Sequence, residues 1–162
     1  MDRAMLIRKN MLERGCSFDA VITADYGNVV HVFQMNCTAD TEGNMRFCVV
    51  EPESISGITG EFSATGGKLT FDNEVLLFET LADGQLSPVS APWIMLRTLQ
   101  GGYIHACGRD GDGLKLQIYD SYRDDALQLD IWTNDTDIPI GAEIVYAGRR
   151  ILSLNVKNFH FL

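Results

Sequence analysis

The sequence predicts a mainly β fold of the α+β class, in which one antiparallel sheet meanders and curls while two helical segments cover one of its faces. Three observations carry this. The hydrophobic period changes from 3.6 to 2 after residue 14, turn residues then recur at hairpin spacing, and only one later stretch, 93–99, is apolar in a helical pattern. The 162 residues make a single domain, 1–162. A chain of that length buries roughly two thirds of its unfolded surface without metal or disulfide staples.

Residues 2–14 read as an amphipathic helix with Ala4, Met5, Ile7, Met11 and Leu12 near one stripe, stopped by Gly15. Phe18, Ala20, Ile22, Ala24 and Tyr26 then alternate with Asp19, Val21, Thr23 and Asp25, the pattern of a strand with one buried face. Gly27-Asn28 turns the chain into a second strand, 29–38, and residues 39–44 turn it into a third, 45–51. After the break at Pro52, short strands are expected at 61–64, 68–71 and 75–79, divided by Gly66-Gly67 and Asp72-Asn73. A loop rich in Gly, Ser and Pro, 82–92, precedes the helix at 93–99, which opens near Ser90 and Pro92 and closes at Gly101-Gly102. Strands at 103–108, 114–119, 126–133, 140–146 and 150–159 complete the chain.

One hairpin can be registered from its side chains. With Thr41-Glu42-Gly43 as a three-residue loop and Gly43 left-handed, Met35 lies opposite Val49 and Cys37 opposite Phe47. Phe33, Met35, Cys37, Phe47 and Val49 then share an apolar face, while Gln34, Asn36, Thr38, Arg46 and Cys48 share the other. A two-residue loop would mix the faces, so the burial pattern selects the first register.

Composition excludes several classes of function. The chain is 46% hydrophobic and 22% charged, with 13 basic and 22 acidic residues and a net charge of −9. That is a globular balance, and its sign repels phosphate backbones and anionic headgroups, so nucleic acid is not an expected partner. No apolar run approaches the roughly 20 residues that cross a bilayer as a helix, and residues 1–10 lack a signal-peptide core. His31, His105 and His160 have no metal-like partner at close spacing, and no metal site is expected. Gly66-Gly67-Lys68-Leu69 has its first glycine misplaced and lacks the hydroxyl of a phosphate loop. Asp110-Gly111-Asp112-Gly113 continues into Leu114 where a calcium loop needs a ligand, and so reads as a turn. Asp120, Asp124, Asp125, Asp130, Asp135 and Asp137 lie mostly at turns, where solvated charge is their ordinary meaning. Among Cys16, Cys37, Cys48 and Cys107, the hairpin register forbids a Cys37–Cys48 bridge. A Cys16–Cys107 bridge and four thiols serving as small apolar residues are both open.

Trp93, Ile94, Met95, Leu96 and Leu99 make the second helix apolar over most of its circumference, so it must lie on the sheet. It is either a plain core helix or a lid over an apolar cavity whose adaptable walls include Met35 and Met95.

The order of elements is itself informative. An amphipathic helix leads into a Ser-Phe-x-Ala strand (Ser17-Phe18-Asp19-Ala20), and a long hairpin ends in x-x-Pro (Val50-Glu51-Pro52). A Gly-Lys-Leu-x-Phe hairpin (Gly67 to Phe71), an apolar helix containing proline (Ser90 to Leu96) and a run of hairpins follow. Over essentially the whole chain this resembles the LolA/LolB-like lipoprotein-carrier superfamily, and specifically its Gram-positive lipoprotein relatives, which include sporulation and germination proteins. The resemblance implies an unclosed antiparallel β-barrel of about eleven strands, covered by an N-terminal helix and a short apolar lid helix. It also implies a hydrophobic cavity for lipoprotein acyl chains, with no catalysis and no cofactor. Carried over by position, the cavity residues are Phe18, Ile22, Phe33, Met35, Phe47 and Val49, and the lid residues are Trp93, Met95, Leu96 and Leu99. One position departs. The proteobacterial carrier has a lid-latching arginine just before its x-x-Pro proline, where this chain has Glu51, which cannot donate the same hydrogen bonds.

The expectation is therefore a non-enzymatic, extracytoplasmic protein that binds an acyl chain or another hydrophobic ligand under a helical lid. Its membrane tether would be a lipid at a trimmed N-terminus. The alternative is an envelope or sporulation-related interaction protein with a filled interior, forming a homodimer through an exposed sheet edge.

Overall fold

The computed structural model describes residues 2–63 and 80–162. Helix α1 (Asp2–Glu13) is followed by strands β1 (Cys16–Asp25), β2 (Val30–Ala39) and β3 (Met45–Glu51). A short 3₁₀ turn (Glu53–Ile55) leads to β4 (Thr59–Phe62). A second 3₁₀ turn (Pro88–Ser90) opens helix α2 (Ala91–Gly101). Five strands then follow: β5 (Tyr103–Asp110), β6 (Gly113–Tyr119), β7 (Gln128–Thr133), β8 (Pro139–Tyr146) and β9 (Arg149–Phe161).

All nine strands of the described residues form one sheet in the order β4-β3-β2-β1-β9-β8-β7-β6-β5, with every neighbour antiparallel. Consecutive strands are partners within β1–β4 and within β5–β9, and β9 returns to pair with β1. Among the described residues the terminal strands β4 and β5 are not paired with each other, so the sheet is unclosed, as the resemblance implies. The strands expected at 68–71 and 75–79, the Gly66-Gly67 turn and the end of the 61–64 strand lie outside the described residues. Register shifts at Ser17/Asp19, Gln34/Met35, Ile104/Ala106, Trp132/Thr133 and Ile144/Val145 give the sheet its curl, because each bulge adds local right-handed twist.

The β2–β3 register is the predicted one: Met35 faces Val49 and Cys37 faces Phe47. Gly43 has φ +88°, which suits a residue without Cβ. The Asp40 carboxylate accepts from the Glu42 and Asn44 backbone N–H groups at 2.8 and 3.0 Å and closes the turn.

Helix α1 buries Ala4, Ile7 and Met11, whereas Met5 and Leu12 are each half exposed. This narrows the five-residue stripe expected from sequence. Positions 4, 7 and 11 are spaced by three and four and so share a face, while 5 and 12 sit one residue further round. The chain leaves α1 through Gly15, where a Cβ would lie 2.9 Å from the Ala39 carbonyl oxygen. On β1 the buried and half-buried residues alternate from Cys16 to Asp25 without exception. The buried set faces inward with α1 and α2 and makes a single core.

Candidate functional site

Strand alternation and antiparallel register align the inward side chains into rows across the sheet. One row runs Phe33, Ile22, Leu154, Ala142, Ile131, Leu116, Cys107, crossing from β2 to β5. A neighbouring row runs Val49, Met35, Ala20, Val156. Ala20 and Ala142, the smallest side chains of these rows, are buried with the bulkier ones in the one core. The result is a continuous apolar concave face.

All ten candidate residues fall in or against this core. Phe18, Ile22, Phe33, Met35, Phe47, Val49, Met95, Leu96 and Leu99 are at most 4% exposed, and Trp93 is half-buried against them. Met95, Leu96 and Leu99 share the underside of α2, with Arg97 on its exposed side. The Trp93 ring stacks on Phe62 at 5.4 Å, and Phe62 stacks on Phe47 at 5.6 Å, so an aromatic column joins α2 to β3. Phe33 additionally lines a groove of about 570 Å³ with Val32, Glu51 and Pro52. Trp93 borders a smaller one of about 270 Å³ with Arg97 and Asp120.

Polar bonds fasten α2 at both ends. Trp93 Nε1 donates to the Gly43 carbonyl in the β2–β3 turn at 3.0 Å. At the other end, Arg8 of α1 donates through Nε to Leu99 O (2.8 Å) and through Nη2 to Gly102 O (2.6 Å) and Thr98 O (3.4 Å). Gln100 Nε2 reaches back to Met11 O at 3.1 Å. The last turn of α2 has no cation of its own, so Arg8 supplies the positive charge that helix carbonyls favour. Burial draws the guanidinium below its ordinary pKa, with Tyr122 acting in the opposite direction. Glu51, at the position where the resemblance puts an arginine, is exposed at the end of β3 opposite Gln34. Fastening thus comes from α1 and from the β2–β3 turn.

Arg8 and Phe62 are the residues that sequence reasoning missed. Arg8 is one of several basic residues on an amphipathic helix, and its partners are some 90 positions away. Phe62 carries no motif, and its ring partners Phe47 and Trp93 lie on other elements. The missing basic residue in the last turn of α2 was the available signal for Arg8.

The acidic residues act individually. Asp137 pairs with Arg3 at 2.7 Å, Asp125 with Arg123 at 3.3 Å, and buried Asp130 accepts from Gln128 Nε2 at 3.1 Å. Asp120 accepts from Leu127 N at 2.8 Å; burial raises its pKa, and that bond opposes the shift. Asp110 and Gly113 close the β5–β6 hairpin around Gly111 and Asp112, as the turn reading expects. No group of three or more metal-ligating side chains is present among the described residues. None of their helices is long and apolar enough to cross a membrane.

All four cysteines are free, so the Cys16–Cys107 pairing left open by the sequence is not formed; β1 and β5 are separated by four intervening strands. Burial pushes Cys16 up to about 12 and raises Cys37 as well. We expect thiol reagents at pH 8 to label half-buried Cys48 and Cys107 first, and Cys16 and Cys37 only after unfolding. Because the folded thiols titrate higher than unfolded ones, their burial contributes stability below the ordinary thiol range. That contribution is lost as pH rises from there toward about 12, which a denaturant titration at pH 7 and pH 10 would register.

No protein-family model matches the chain, and no curated protein matches it in sequence. Solved structures do match. MucB aligns over 98% of this chain with 12% identity and a TM-score of 0.51, and the chain spans 57% of its length. An uncharacterized conserved protein from Thermus thermophilus aligns over 99% of this chain and 86% of its own, at 11% identity and TM-score 0.48. A LolA superfamily protein from Nitrosomonas europaea aligns over 98% and 93%, at 12% identity and TM-score 0.45. At such identities the likeness concerns fold alone. In fold, then, the chain is similar to MucB, and it has the unclosed, helix-covered antiparallel sheet that the resemblance to the LolA/LolB-like superfamily implied.

Proposed function

We propose that the chain is a non-catalytic, extracytoplasmic protein that takes an acyl chain or another hydrophobic ligand between the concave face of its sheet and helix α2, in lipoprotein or lipid transport. The observation that carries this reading is the attachment of α2. Its underside is apolar, and its ends are held by side-chain bonds to α1 and to the β2–β3 turn. An element held this way can lift without breaking the strand ladder. Phe18, Ile22, Phe33, Met35, Phe47 and Val49 form the wall, and Trp93, Met95, Leu96 and Leu99 form the lid.

The energetics support exchange. Lifting Met95, Leu96 and Leu99 forfeits about 1.5–3 kcal/mol each, roughly 4–9 kcal/mol together, while an acyl chain recovers about 0.8 kcal/mol per methylene. About ten buried methylenes therefore balance the apolar loss, and the polar bonds at the helix ends decide when α2 opens. Titration with a fluorescent fatty acid tests the reading: saturable uptake, reversed by unlabelled fatty acid, is expected. Signal that rises linearly without saturation or competition would sink it.

A second reading keeps the same fold with its interior permanently filled and its work done through protein contacts, as a homodimer. The side chains that already occupy the space beneath α2 favour it, since nine of the ten candidates are at most 4% exposed. Light scattering after size exclusion separates the two. A tight dimer without ligand uptake supports the second.

A further inference from the structure

We propose that a groove on the outer face of the sheet, between the middle of β2 and the corner after β3, docks a segment of a partner protein that sets a lysine or arginine beside an aliphatic side chain. The groove holds about 570 Å³; Val21, Val32 and Val50 wall it, and Gln34, Glu51 and Glu53 make its polar side. Along β1 and β2, Val21, Val32 and Gln34 alternate with the buried Ile22, Phe33 and Met35, so these side chains point away from α2.

The apolar wall lies where a sheet face meets water. Val32 is 56% exposed, and Val30, two residues along the same face, is 54% exposed. Val29, in the adjoining turn, is 45% exposed and extends the strip. Scattered exposed apolar residues are ordinary, but a contiguous strip with a polar rim marks a contact surface.

Charge selects the occupant. Apart from histidines, the cations of β1, β2, β3, β4 and β9 are Arg46, Arg149, Arg150 and Lys157. Arg46 pairs with Glu61 at 3.8 Å, Arg149 with Asp25 at 3.3 Å and Arg150 with Glu143 at 2.7 Å. Lys157 lies opposite Asp19 in the β1–β9 register. His31 packs edge-on against Tyr26 at 5.6 Å. Glu51 and Glu53 are left over: among the described residues neither carboxylate has a hydrogen bond or an ion pair, and both line the groove.

The occupant is therefore aliphatic and cationic together. A lysine or arginine can lay its methylene stem on the valines and bring its charged head to the carboxylates, while a neighbouring aliphatic side chain covers the rest of the strip. A second copy of this chain would carry the same two carboxylates to the interface, and an anionic lipid surface is repelled by them. A free small amine would need about 70–90% of its surface enclosed. The exposed strip instead continues past the groove to Val30 and Val29, which suits a longer segment.

Fluorescence anisotropy with three labelled peptides tests this: Leu-Lys-Val-Arg-Leu-Lys, the same peptide with Gln for every Lys and Arg, and the same peptide with Ser for every Leu and Val. Saturable binding of the first is expected, at least about tenfold tighter than either control. The double variant Glu51→Gln, Glu53→Gln should weaken it about fivefold, since exposed ion pairs are individually weak. Val32→Ser should weaken it about threefold. Both variants should keep the melting temperature, because these side chains are exposed. Asp124→Asn with Asp135→Asn removes the same charge from exposed positions outside the groove and should leave affinity unchanged. No saturable binding, equal binding of either control peptide, or equal losses in the aspartate and glutamate pairs would each overturn the assignment. So would amide shift changes mapped away from 21, 32–34 and 50–53. The groove opens on the face away from α2, so fatty-acid uptake and peptide docking fail or succeed independently.

Discussion

Arg8→Ala is expected to lower the melting temperature by about 5–10 °C and to raise the rate of ligand uptake at the same time. The guanidinium holds three carbonyls at the end of α2, two of them at 2.8 and 2.6 Å. Hydrogen bonds to a charged group are each worth about 1.5–3 kcal/mol, but this group is only half-buried and water can replace part of the loss, so about 2–3 kcal/mol in all is reasonable. For a chain of this size, each kcal/mol moves the midpoint by about 2–4 °C. The same loss acts on the opening of α2, where about 2 kcal/mol corresponds to about a thirtyfold larger open population. Arg8→Lys keeps the charge near the helix end but not the fork that spans several carbonyls, and should fall between the two. Stopped-flow uptake of a fluorescent fatty acid beside a thermal melt measures both effects. A variant that loses stability without faster uptake would mean that Arg8 holds the fold but not the lid.

Trp93→Ala should be the more damaging change, destabilising by about 3–4 kcal/mol. It removes the ring at the top of the Phe62–Phe47 column and the bond from Nε1 to the Gly43 carbonyl. Truncating a large aromatic in a core costs about 3–5 kcal/mol, and partial exposure places Trp93 toward the lower part of that range. Trp93→Phe isolates the polar contribution: the stack survives, the bond is lost, and the cost should be about 1 kcal/mol. Urea melts of the pair give the two values. If Trp93→Phe costs as much as Trp93→Ala, the bond to the turn, and not the aromatic column, holds that end of α2.

Much of this architecture is legible in the sequence because it is local. The β2–β3 register follows from one turn and one apolar face, and Asp40 and Gly43 encode both the closure and the left-handed corner. The β5–β6 hairpin is marked in the same way by Asp110-Gly111-Asp112-Gly113. Helix α2 announces itself by its composition and by Pro92 in its first turn. What is not legible depends on partners far along the chain. Nothing near Cys16 says that β1 will take its second neighbour from residues 152–161, although that pairing builds the apolar row on which the candidate site rests. Arg8 looks like any solvated charge until α2 is laid beside α1. Met5 and Leu12 look buried because periodicity resolves a stripe only to within one position, and the docking angle of α1 chooses Ala4, Ile7 and Met11 instead. The six sheet residues could be read as an apolar set from strand alternation, and the four on α2 from that helix's apolar circumference. The apolar helix itself raises a lid as one of two readings, and the residue-by-residue division into wall and lid comes from the resemblance, since periodicity carries no information about which elements move.

The central claim is that a hydrophobic ligand enters between the sheet and α2, and the methionine methyl groups can report it directly. Met35 lies on the sheet and Met95 on the helix, both fully buried, while Met5 is half exposed on α1. With methyl-labelled methionine, titration of the protein with dodecanoate is expected to move the Met35 and Met95 resonances together and saturably, leaving Met5 in place. Unmoved Met35 and Met95 resonances at saturating dodecanoate, or shifts confined to Met5, would contradict it.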